Sequence, residues 1–393
     1  MFYPRKLLPK LEREIKTREI IVLTGMRRVG KTTLYRHLFE KIESENKVFL
    51  DLENPLEQRV FEEKDYNNIL PNLKKYGLNS KEKMYLFLDE VQAEPKAISA
   101  IKYLHDHYNI KFFLTGSSSF YLKNLFSESL AGRKFIFELY PLNFEEFLIF
   151  NGKDRKFWPT LAQKDKNKNY IAYEKKKKLY DEYLEFGGFP EVVLTNDRER
   201  KSMKLDDIFK SYFEKDVKVL ADFRKINAFR DLILLLAQRV GSRLDISKIS
   251  SELGVTRATC YSYLAFLKDT YFISLVSPFS RSVDREVSGS KKVYLCDTGM
   301  ANHFAKISSG GLLENSIFNS LRHFSKLNYY QKRSGAEIDF VVNEKIGIEI
   351  KTKGTKSDLK KLTSIGRKIH LSEFYVITKD FVDQPGFISV IDI

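Results

Sequence analysis

Cysteine is nearly absent from this chain, which has 2 cysteines among 393 residues. These two thiols, Cys260 and Cys296, exclude a disulfide-stapled scaffold and a cysteine-rich zinc site. Long uncharged apolar runs are also absent, and none approaches the ~18 residues that a membrane-spanning helix needs. Residues 5–9 read Arg-Lys-Leu-Leu-Pro, which is too short for the apolar core of a signal peptide. We therefore expect a soluble, cytoplasmic protein without membrane insertion.

Acidic residues are fewer than basic residues, 52 against 67, which gives the chain a net charge of +15. Such an excess suggests a polyanionic partner such as DNA. Ten cations and three acids, a net charge of +7, fall in residues 153–178. We interpret this segment as a solvated linker. The alternative is an arm that binds nucleic acid, with Trp158, Tyr170 and Tyr173 stacking on bases.

A phosphate-binding loop follows the first apolar run. Residues 20–24 predict a buried parallel strand, and a helical pattern follows residue 33. The residues between them match G-x-x-x-x-G-K-[ST], and we expect the whole loop to bind ATP: Gly25, Met26, Arg27, Arg28, Val29, Gly30, Lys31, Thr32 and Thr33. In this motif the lysine contacts the β- and γ-phosphates and the threonine hydroxyl binds Mg²⁺. The sequence therefore predicts a site for ATP and Mg²⁺.

Two acids end a later apolar run. Residues 84–88 predict a strand that continues into Asp89 and Glu90. Ligands bind at the carboxyl ends of strands in open α/β sheets, so these acids should lie beside the phosphates. We expect Asp89 to hold the Mg²⁺ and Glu90 to activate the attacking water. The alternative is a pair of solvated acids at a strand end.

Two more side chains are candidates for the same reaction. The strand expected at 111–115 is followed by Gly116 and Ser117, whose hydroxyl would sense the γ-phosphate or orient water. Arg133 precedes the strand expected at 134–139 and would stabilise transition-state charge, in cis or across an oligomer interface. An ordinary turn and a surface arginine are the alternatives. A further strand is expected at 47–51.

These segments resemble the AAA-type ATPases of archaea and bacteria that carry a C-terminal domain of unknown function (family 4143). The resemblance rests on GMRRVGKTT, YLFLDEVQ, LTGSSS and LAGRKFIFELYPLNFEEF, and on GGFPE at 187–191, KVYLCDTG at 292–299 and GLLEN at 311–315. It implies an ATP-binding domain of AAA architecture, which we place at residues 1–150. Activity as an ATPase is the first functional hypothesis, and a homo-oligomer or a protein partner remains open.

Residues 226–276 predict a winged-helix module. Apolar spacing indicates a helix around 229–236 and another over 246–253, and Thr256 would cap a third helix before a strand at 271–276. We place the module at 206–290, after a basic linker and helical segment at 151–205. In a DNA reader, Arg257, Thr259 and Ser262 would face the major groove. Docking of a protein is the alternative.

Residues 336–351 form two alternating runs around Asn343–Lys345. A three-residue hairpin loop pairs Val342 with Ile346 and sets Asp339 opposite Glu349. Two opposed carboxylates repel each other unless a cation neutralises them, and Mg²⁺ does so well.

This hairpin, with Lys351 beside it and Glu314 on a helix upstream, resembles the PD-(D/E)XK nuclease motif, with Ile338 in place of the proline. The resemblance implies a metal held by Asp339, Glu349 and Glu314. The alternative is an inert fold in which Lys351 pairs with Glu337.

The expected fold class is α/β throughout: a P-loop AAA-type parallel sheet domain, a helical and winged-helix module, and a restriction-endonuclease-like domain at 291–393. Two further functional hypotheses follow. One is an ATP-regulated, metal-dependent DNA nuclease. The other is a non-enzymatic switch in which ATP gates DNA or protein binding.

Overall fold

The computed structural model describes residues 2–116, 130–153, 158–217, 226–305, 307–324, 326–332 and 335–393. The chain forms two compact units. The first comprises residues 1–140, 211–221 and 269–271, and the second comprises residues 141–210, 222–268 and 272–393. Within the described part of the chain, no helix is both long enough and apolar enough to span a membrane.

The first unit is built on a five-stranded parallel sheet in the order β2-β3-β4-β1-β5. Its strands are β1 (Ile20–Thr24), β2 (Lys47–Asp51), β3 (Met84–Asp89), β4 (Ile110–Gly116) and β5 (Lys134–Glu138). Its helices are α1 (Leu8–Arg13), α2 (Lys31–Lys41), α3 (Pro55–Gln58), α4 (Ile69–Lys74) and α5 (Ala97–His107). The predicted parallel sheet is confirmed, with strand bounds that agree with the expectation to within one residue.

An aromatic cluster fixes the helix that follows the phosphate-binding loop. Tyr35 of α2 packs edge-on against Phe87 of β3 and Phe113 of β4, which stack on each other with ring centroids 4.2 Å apart. The buried Tyr35 hydroxyl donates to the Ile21 carbonyl of β1 at 3.1 Å. The second turn of α2 is therefore packed against the middle of the central strands.

The second unit contains helices, a two-stranded ribbon and a mixed sheet. Its helices are α6 (Phe144–Phe150), α7 (Leu161–Lys166), α8 (Tyr170–Phe186), α9 (Pro190–Val193), α10 (Arg198–Tyr212), α11 (Ile226–Gln238), α12 (Ile246–Glu252), α13 (Arg257–Asp269), α14 (Val283–Ser288), α15 (Thr298–Phe304), α16 (Ser309–Leu321) and α17 (Lys356–Lys368). The last residues of α10 and α13 belong to the first unit. The ribbon pairs β6 (Ile273–Val276) with β7 (Lys292–Leu295) in antiparallel fashion.

The mixed sheet has the order β12-β11-β10-β9-β8. Its strands are β8 (Leu327–Gln331), β9 (Glu337–Val342), β10 (Ile346–Lys351), β11 (Glu373–Thr378) and β12 (Phe387–Ser389). The hairpin register was predicted correctly, because Ile346 pairs with Val342 and Ile348 pairs with Phe340. This pairing ends at Ile348 and Phe340, and continuing the same register sets Asp339 opposite Glu349.

The GGFPE and CDTG segments interlock in the second unit. The buried Asp297 carboxylate accepts hydrogen bonds from the Gly188 amide at 2.6 Å and the Met300 amide at 3.0 Å. Gly187 has a φ of +75°, and a Cβ at that position would lie 1.9 Å from Asp297 Oδ1. These residues therefore serve packing within the second unit.

The described part of the basic segment 153–178 is more ordered than a simple linker. Much of it is helical, in α7 and α8. Lys164 is buried, lies 3.3 Å from Glu145 Oε1 and donates to the Asp392 carbonyl. Lys168 donates to the Phe387 carbonyl at 2.8 Å. These ammonium groups bind carbonyl oxygens of the chain's last residues, so part of the local charge excess is structural.

The stacking residues proposed for this segment have a structural use as well. Tyr170 and Tyr173 pack against Phe381, with ring centroids 5.3 and 5.7 Å away.

The helices expected at 246–253 and after Thr256 are present as α12 and α13. The Thr256 hydroxyl caps the latter by accepting from the Thr259 amide at 3.1 Å. Arg257 and Ser262 are exposed on α13. The winged-helix assignment and DNA contact by this face remain predictions.

Candidate nucleotide site and C-terminal charge cluster

The phosphate-binding loop lies at the carboxyl edge of the parallel sheet, between β1 and α2. At Gly25 φ is +148°, and a Cβ would lie 2.0 Å from the Leu139 carbonyl oxygen, so only glycine fits there. The buried Arg5 guanidinium donates to the Val29 carbonyl at 2.8 Å and the Tyr140 carbonyl at 2.7 Å. The loop is thus tied to the end of β5 and to the N-terminal segment.

Lys31 is buried at the start of α2, and its ammonium group donates to two carbonyls of its own loop. The distances are 2.9 Å to Gly25 O and 3.1 Å to Met26 O. Burial lowers the pKa of Lys31, and the charges of Glu90 and Asp216 counteract this effect. Phosphate oxygens in the loop would add further negative charge beside this buried ammonium group.

The predicted magnesium ligands meet at the same edge. The Thr32 hydroxyl donates to Asp89 Oδ2 at 2.7 Å. Burial raises the pKa of Asp89, and hydrogen bonds from Thr115 and Thr32 oppose that effect. A hydroxyl and a carboxylate in contact beside a phosphate loop are the oxygen donors that Mg²⁺ takes in nucleotide sites. The residues present therefore fit Mg²⁺·ATP.

Glu90 lies next to this pair in a strained backbone conformation. Its φ is +51°, in the left-handed region that residues other than glycine seldom adopt. Burial would raise its pKa, but the Lys31 charge and a hydrogen bond from Gln92 outweigh burial, and the pKa is lowered. Glu90 is thus held as a carboxylate at the edge of the site.

Thr115, which the sequence analysis missed, joins the two acids. Its hydroxyl, at the end of β4, donates to Asp89 Oδ1 and accepts from the Glu90 amide at 3.0 Å. Because Thr115 ends a predicted parallel strand, its position could have identified it as a candidate site residue from the sequence. Ser117, the predicted sensor in this region, lies outside the described residues.

Arg133 lies at the opposite edge of the sheet from the phosphate loop. It directly precedes β5, whose first residue pairs with Ile20 and whose last pairs with Thr24. Five strand residues at ~3.3 Å each put it ~17 Å from the loop. Its guanidinium forms a bidentate pair with Asp106, at 2.7 and 3.0 Å. Action in cis is therefore a wrong expectation, and action across an interface remains a prediction.

Asp216, a second residue that the sequence did not single out, reaches the loop from far along the chain. Arg27 Nε lies 3.4 Å from Oδ1 and 3.3 Å from Oδ2 of Asp216, a buried residue of the π-helical turn Phe213–Val217. Arg27 Nη1 is 3.7 Å from Glu53 Oε1, and Lys215 Nζ is also 3.7 Å from that oxygen. No local pattern connects Asp216 with the loop.

At the C-terminal hairpin, a lysine ammonium group lies among carboxylates that include two of the expected metal ligands, Glu314 and Asp339. The buried Lys292 ammonium of β7 lies 2.9 Å from Glu337 Oε1, 3.2 Å from Glu314 Oε1 and 4.0 Å from Asp339 Oδ1. Tyr294 also donates to Glu314 Oε1, at 2.7 Å. Burial alone would lower the pKa of Lys292, but the surrounding carboxylates raise it.

The remaining hairpin groups are also partnered. Lys351 Nζ is 2.7 Å from Glu349 Oε1, so it does not pair with Glu337 as the inert-fold alternative supposed. Asp339 Oδ2 accepts from the Ile350 amide at 2.8 Å. Burial and the Glu314 and Glu349 charges raise the pKa of Asp339 well above its usual range.

The C-terminal carboxylates are grouped around Lys292. Across the described parts of the chain, no group of three or more acidic, histidine or cysteine side chains is arranged to hold a metal ion. The positive charge that three carboxylates need comes from Lys292 instead. The predicted metal at Asp339, Glu349 and Glu314 is therefore a prediction that this geometry does not favour.

A parallel sheet with a phosphate-binding loop and two strand-end acids defines a nucleotide-binding ATPase domain of the AAA class. Residues 17–148 match the family model of an AAA domain. Residues 177–310 and 309–391 match two domains of unknown function, DUF8612 and DUF4143.

Relatives cover most of the chain. An uncharacterised protein of Methanocaldococcus jannaschii is 31% identical over 350 residues, which cover 84% of this chain and 74% of the relative. An uncharacterised protein of Haemophilus influenzae is 28% identical over 338 residues, covering 83% and 80% respectively. The chain belongs to the family of AAA-domain proteins with a C-terminal DUF4143 domain.

Two solved structures are more distant. The Aeropyrum pernix ORC1 protein in complex with DNA has a TM-score of 0.33 at 12% identity, over 77% of this chain and 92% of that chain. The Aeropyrum pernix ORC2 protein in its ADP form has a TM-score of 0.38 at 12% identity, over 70% and 87%.

Proposed function

We propose that this chain binds Mg²⁺·ATP in the loop formed by residues 25–33 and hydrolyses it to ADP and phosphate. One observation carries the proposal: Thr32, Asp89 and Glu90 meet at the sheet edge beside Lys31. The Thr32–Asp89 contact is 2.7 Å, and Thr115 contacts both acids. Separate strands deliver these groups to the place that an anion-binding loop already marks.

Binding would begin with an exchange of partners at Lys31. Its ammonium group leaves the Gly25 and Met26 carbonyls for the β- and γ-phosphate oxygens, while the loop amides and the start of α2 donate to the same phosphates. The exchange is favourable because burial has weakened the hydration of this charge. Thr32 and Asp89 would hold the Mg²⁺, which neutralises charge on the β- and γ-phosphates when bound.

Glu90 would act on the water that attacks the γ-phosphorus. The water oxygen forms the new bond to phosphorus, the bond to the β,γ-bridging oxygen breaks, and a water proton passes to the Glu90 carboxylate. The lowered pKa of Glu90 keeps it ionised and able to orient the water. The Gln92 and Thr115 contacts fix its position.

Phosphate release and nucleotide binding together test this assignment. Glu90→Gln should lower phosphate release ~10²- to 10⁴-fold, the usual contribution of a general base, while ATP binding persists. The matched control is Glu40→Gln, an exposed acid on α2, which should hydrolyse ATP like the wild type. Lys31→Ala should lose ATP binding. Equal hydrolysis by wild type and Glu90→Gln would refute the proposal.

The nuclease alternative has less support than the ATPase, because Lys292 supplies the charge that a metal would otherwise provide. Coupling of the ATPase to the second unit is the remaining part of the proposal. The chain of the second unit returns to the first at residues 211–221, which include Asp216 beside the phosphate loop. A change at the nucleotide thus has a covalent path into the rest of the chain.

A further inference from the structure

The π-helical turn Phe213–Val217 brings one buried carboxylate to the phosphate-binding loop. Asp216 is 2% exposed, and its two oxygens lie 3.4 and 3.3 Å from Arg27 Nε. Removing a carboxylate from water costs several kcal/mol unless a cation and hydrogen bonds compensate for the loss. Here the compensating cation is a residue of the loop that binds the nucleotide.

The Arg27–Asp216 pair interacts electrostatically with Lys31 and Glu90 of the candidate nucleotide site. The charges of both residues act on Lys31, and the charge of Arg27 also acts on Glu90. Burial raises the pKa of Asp216 to about 6, while Arg27 and Lys31 oppose this increase. The carboxylate is therefore mostly ionised at pH 7.5 and lies in the field of both loop cations.

The contact at Nε has a geometric consequence. A guanidinium group is planar and carries five N–H donors, of which Nε supplies one. A carboxylate at Nε fixes the plane and leaves the two terminal amino groups as donors. Nη1 has Glu53 only at 3.7 Å, beyond hydrogen-bond length, and Glu53 is half exposed. The terminal amino groups can therefore turn to an incoming phosphate without breaking the Asp216 contact.

We propose that Asp216 is a positioning residue of the nucleotide site, which holds Arg27 so that its terminal amino groups contact the γ-phosphate. The inference rests on the proposed ATPase function. It gives Arg27 the role of stabilising charge on the terminal phosphate during hydrolysis, a role that Arg133 cannot perform in cis.

The two consequences of removing the Asp216 charge have opposite signs. Without its anchor, Arg27 loses its orientation, and the hydrolysis rate falls. Without a neighbouring negative charge, the triphosphate is repelled less, so ATP binds as tightly as before or more tightly. If Asp216 had a purely structural role, its loss would instead destabilise the first unit and weaken the binding of both ATP and ADP.

The experiment measures single-turnover hydrolysis, ATP and ADP affinity and thermal stability in the full chain. Asp216→Asn should lower the hydrolysis rate tenfold or more with an ATP dissociation constant unchanged within twofold or decreased. Arg27→Lys keeps the charge but loses the planar fork, and it should show the same split. The double variant should be no slower than the slower single variant, since the residues act as one unit.

Glu214→Gln is the matched control, because Glu214 is exposed two residues earlier on the same turn. It should match the wild type in every measurement. Asp216→Glu restores the carboxylate and should recover part of the rate, which keeps the test decisive if Asp216→Asn unfolds. Wild-type hydrolysis in Asp216→Asn, or additive losses in the double variant, would overturn the inference. Wild-type ATP binding by Lys31→Ala would instead refute the nucleotide site itself.

Discussion

Replacing Lys292 with methionine would test whether a lysine takes the place of a metal in the C-terminal cluster. The substitution keeps most of the length of the side chain and removes its charge. Glu337, Glu314 and Asp339 then lie close together without the ammonium group that is now 2.9, 3.2 and 4.0 Å from them.

The expected loss of stability follows from these contacts. At an effective dielectric constant of ~20, one ion pair at ~3 Å is worth ~5 kcal/mol before desolvation is subtracted. Removing one partner of a buried pair typically costs ~3–5 kcal/mol, because the remaining charges are left uncompensated. We expect Lys292→Met to destabilise the second unit by about 3–5 kcal/mol at pH 8.

The loss should shrink in acid. The pKa of Asp339 already lies well above its usual value, and removing the Lys292 charge, which opposes this increase, should raise it further. Groups of this kind bind more protons in the folded state, so the variant is most stable at low pH and loses stability as pH rises through the folded pKa values. The difference from wild type should therefore be smaller at pH 5 than at pH 8.

Fluorescence-monitored denaturation suits this measurement, because the single tryptophan, Trp158, lies in the second unit. Lys291→Met is the matched control, since Lys291 is the neighbouring lysine outside the cluster. Mn²⁺ should shift the midpoint of Lys292→Met upward and leave the wild type unchanged. Equal stability of the two variants, or the same Mn²⁺ shift in wild type, would refute the reasoning.

Three further predictions concern the first unit. Gly25→Ala should abolish ATP binding because its Cβ would meet the Leu139 carbonyl at 2.0 Å, whereas Gly77→Ala, with no neighbour within 4 Å, should bind ATP normally in the same titration. Lys111 has a pKa lowered to about 8, mainly by burial, so wild-type stability should rise between about pH 8 and 10.5. The melting temperature of Lys111→Met relative to wild type should therefore fall over that range, and a constant difference would contradict the assignment. Arg133→Ala should leave the turnover rate of the monomer within twofold of wild type, and a tenfold loss in the monomer would contradict its position at the far edge of the sheet.

Local sequence patterns were enough to propose the nucleotide site, because each of its parts is encoded within a short window. The apolar run of β1, the glycines of the loop and the acids after β3 each carry their own signal. Parallel strands then bring Lys31, Asp89 and Glu90 to one edge. The same reasoning could have corrected the expected role of Arg133 in cis. Arg133 precedes its strand and therefore lies at the other edge of the sheet.

The parts that were missed depend on contacts between distant segments. Asp216 is 189 residues from Arg27, and the segment that carries it has no unusual composition. The hairpin register correctly brought Asp339 and Glu349 together and raised the question of what neutralises them. The answer, Lys292, comes from a different strand, so the hairpin alone favoured a metal. Counting charges also could not show that Lys164 and Lys168 bind carbonyl oxygens near the end of the chain, so that this part of the positive charge has a structural use.

The identity of the nucleotide retained after a single turnover tests the central claim most directly. Wild type and Glu90→Gln would each be mixed with radiolabelled ATP and Mg²⁺, separated from free nucleotide, and quenched in acid. Wild type should retain ADP, and Glu90→Gln should retain intact ATP at similar occupancy. Intact ATP on both proteins would show that this site binds without hydrolysing, and ADP on both would show that Glu90 does not activate the water.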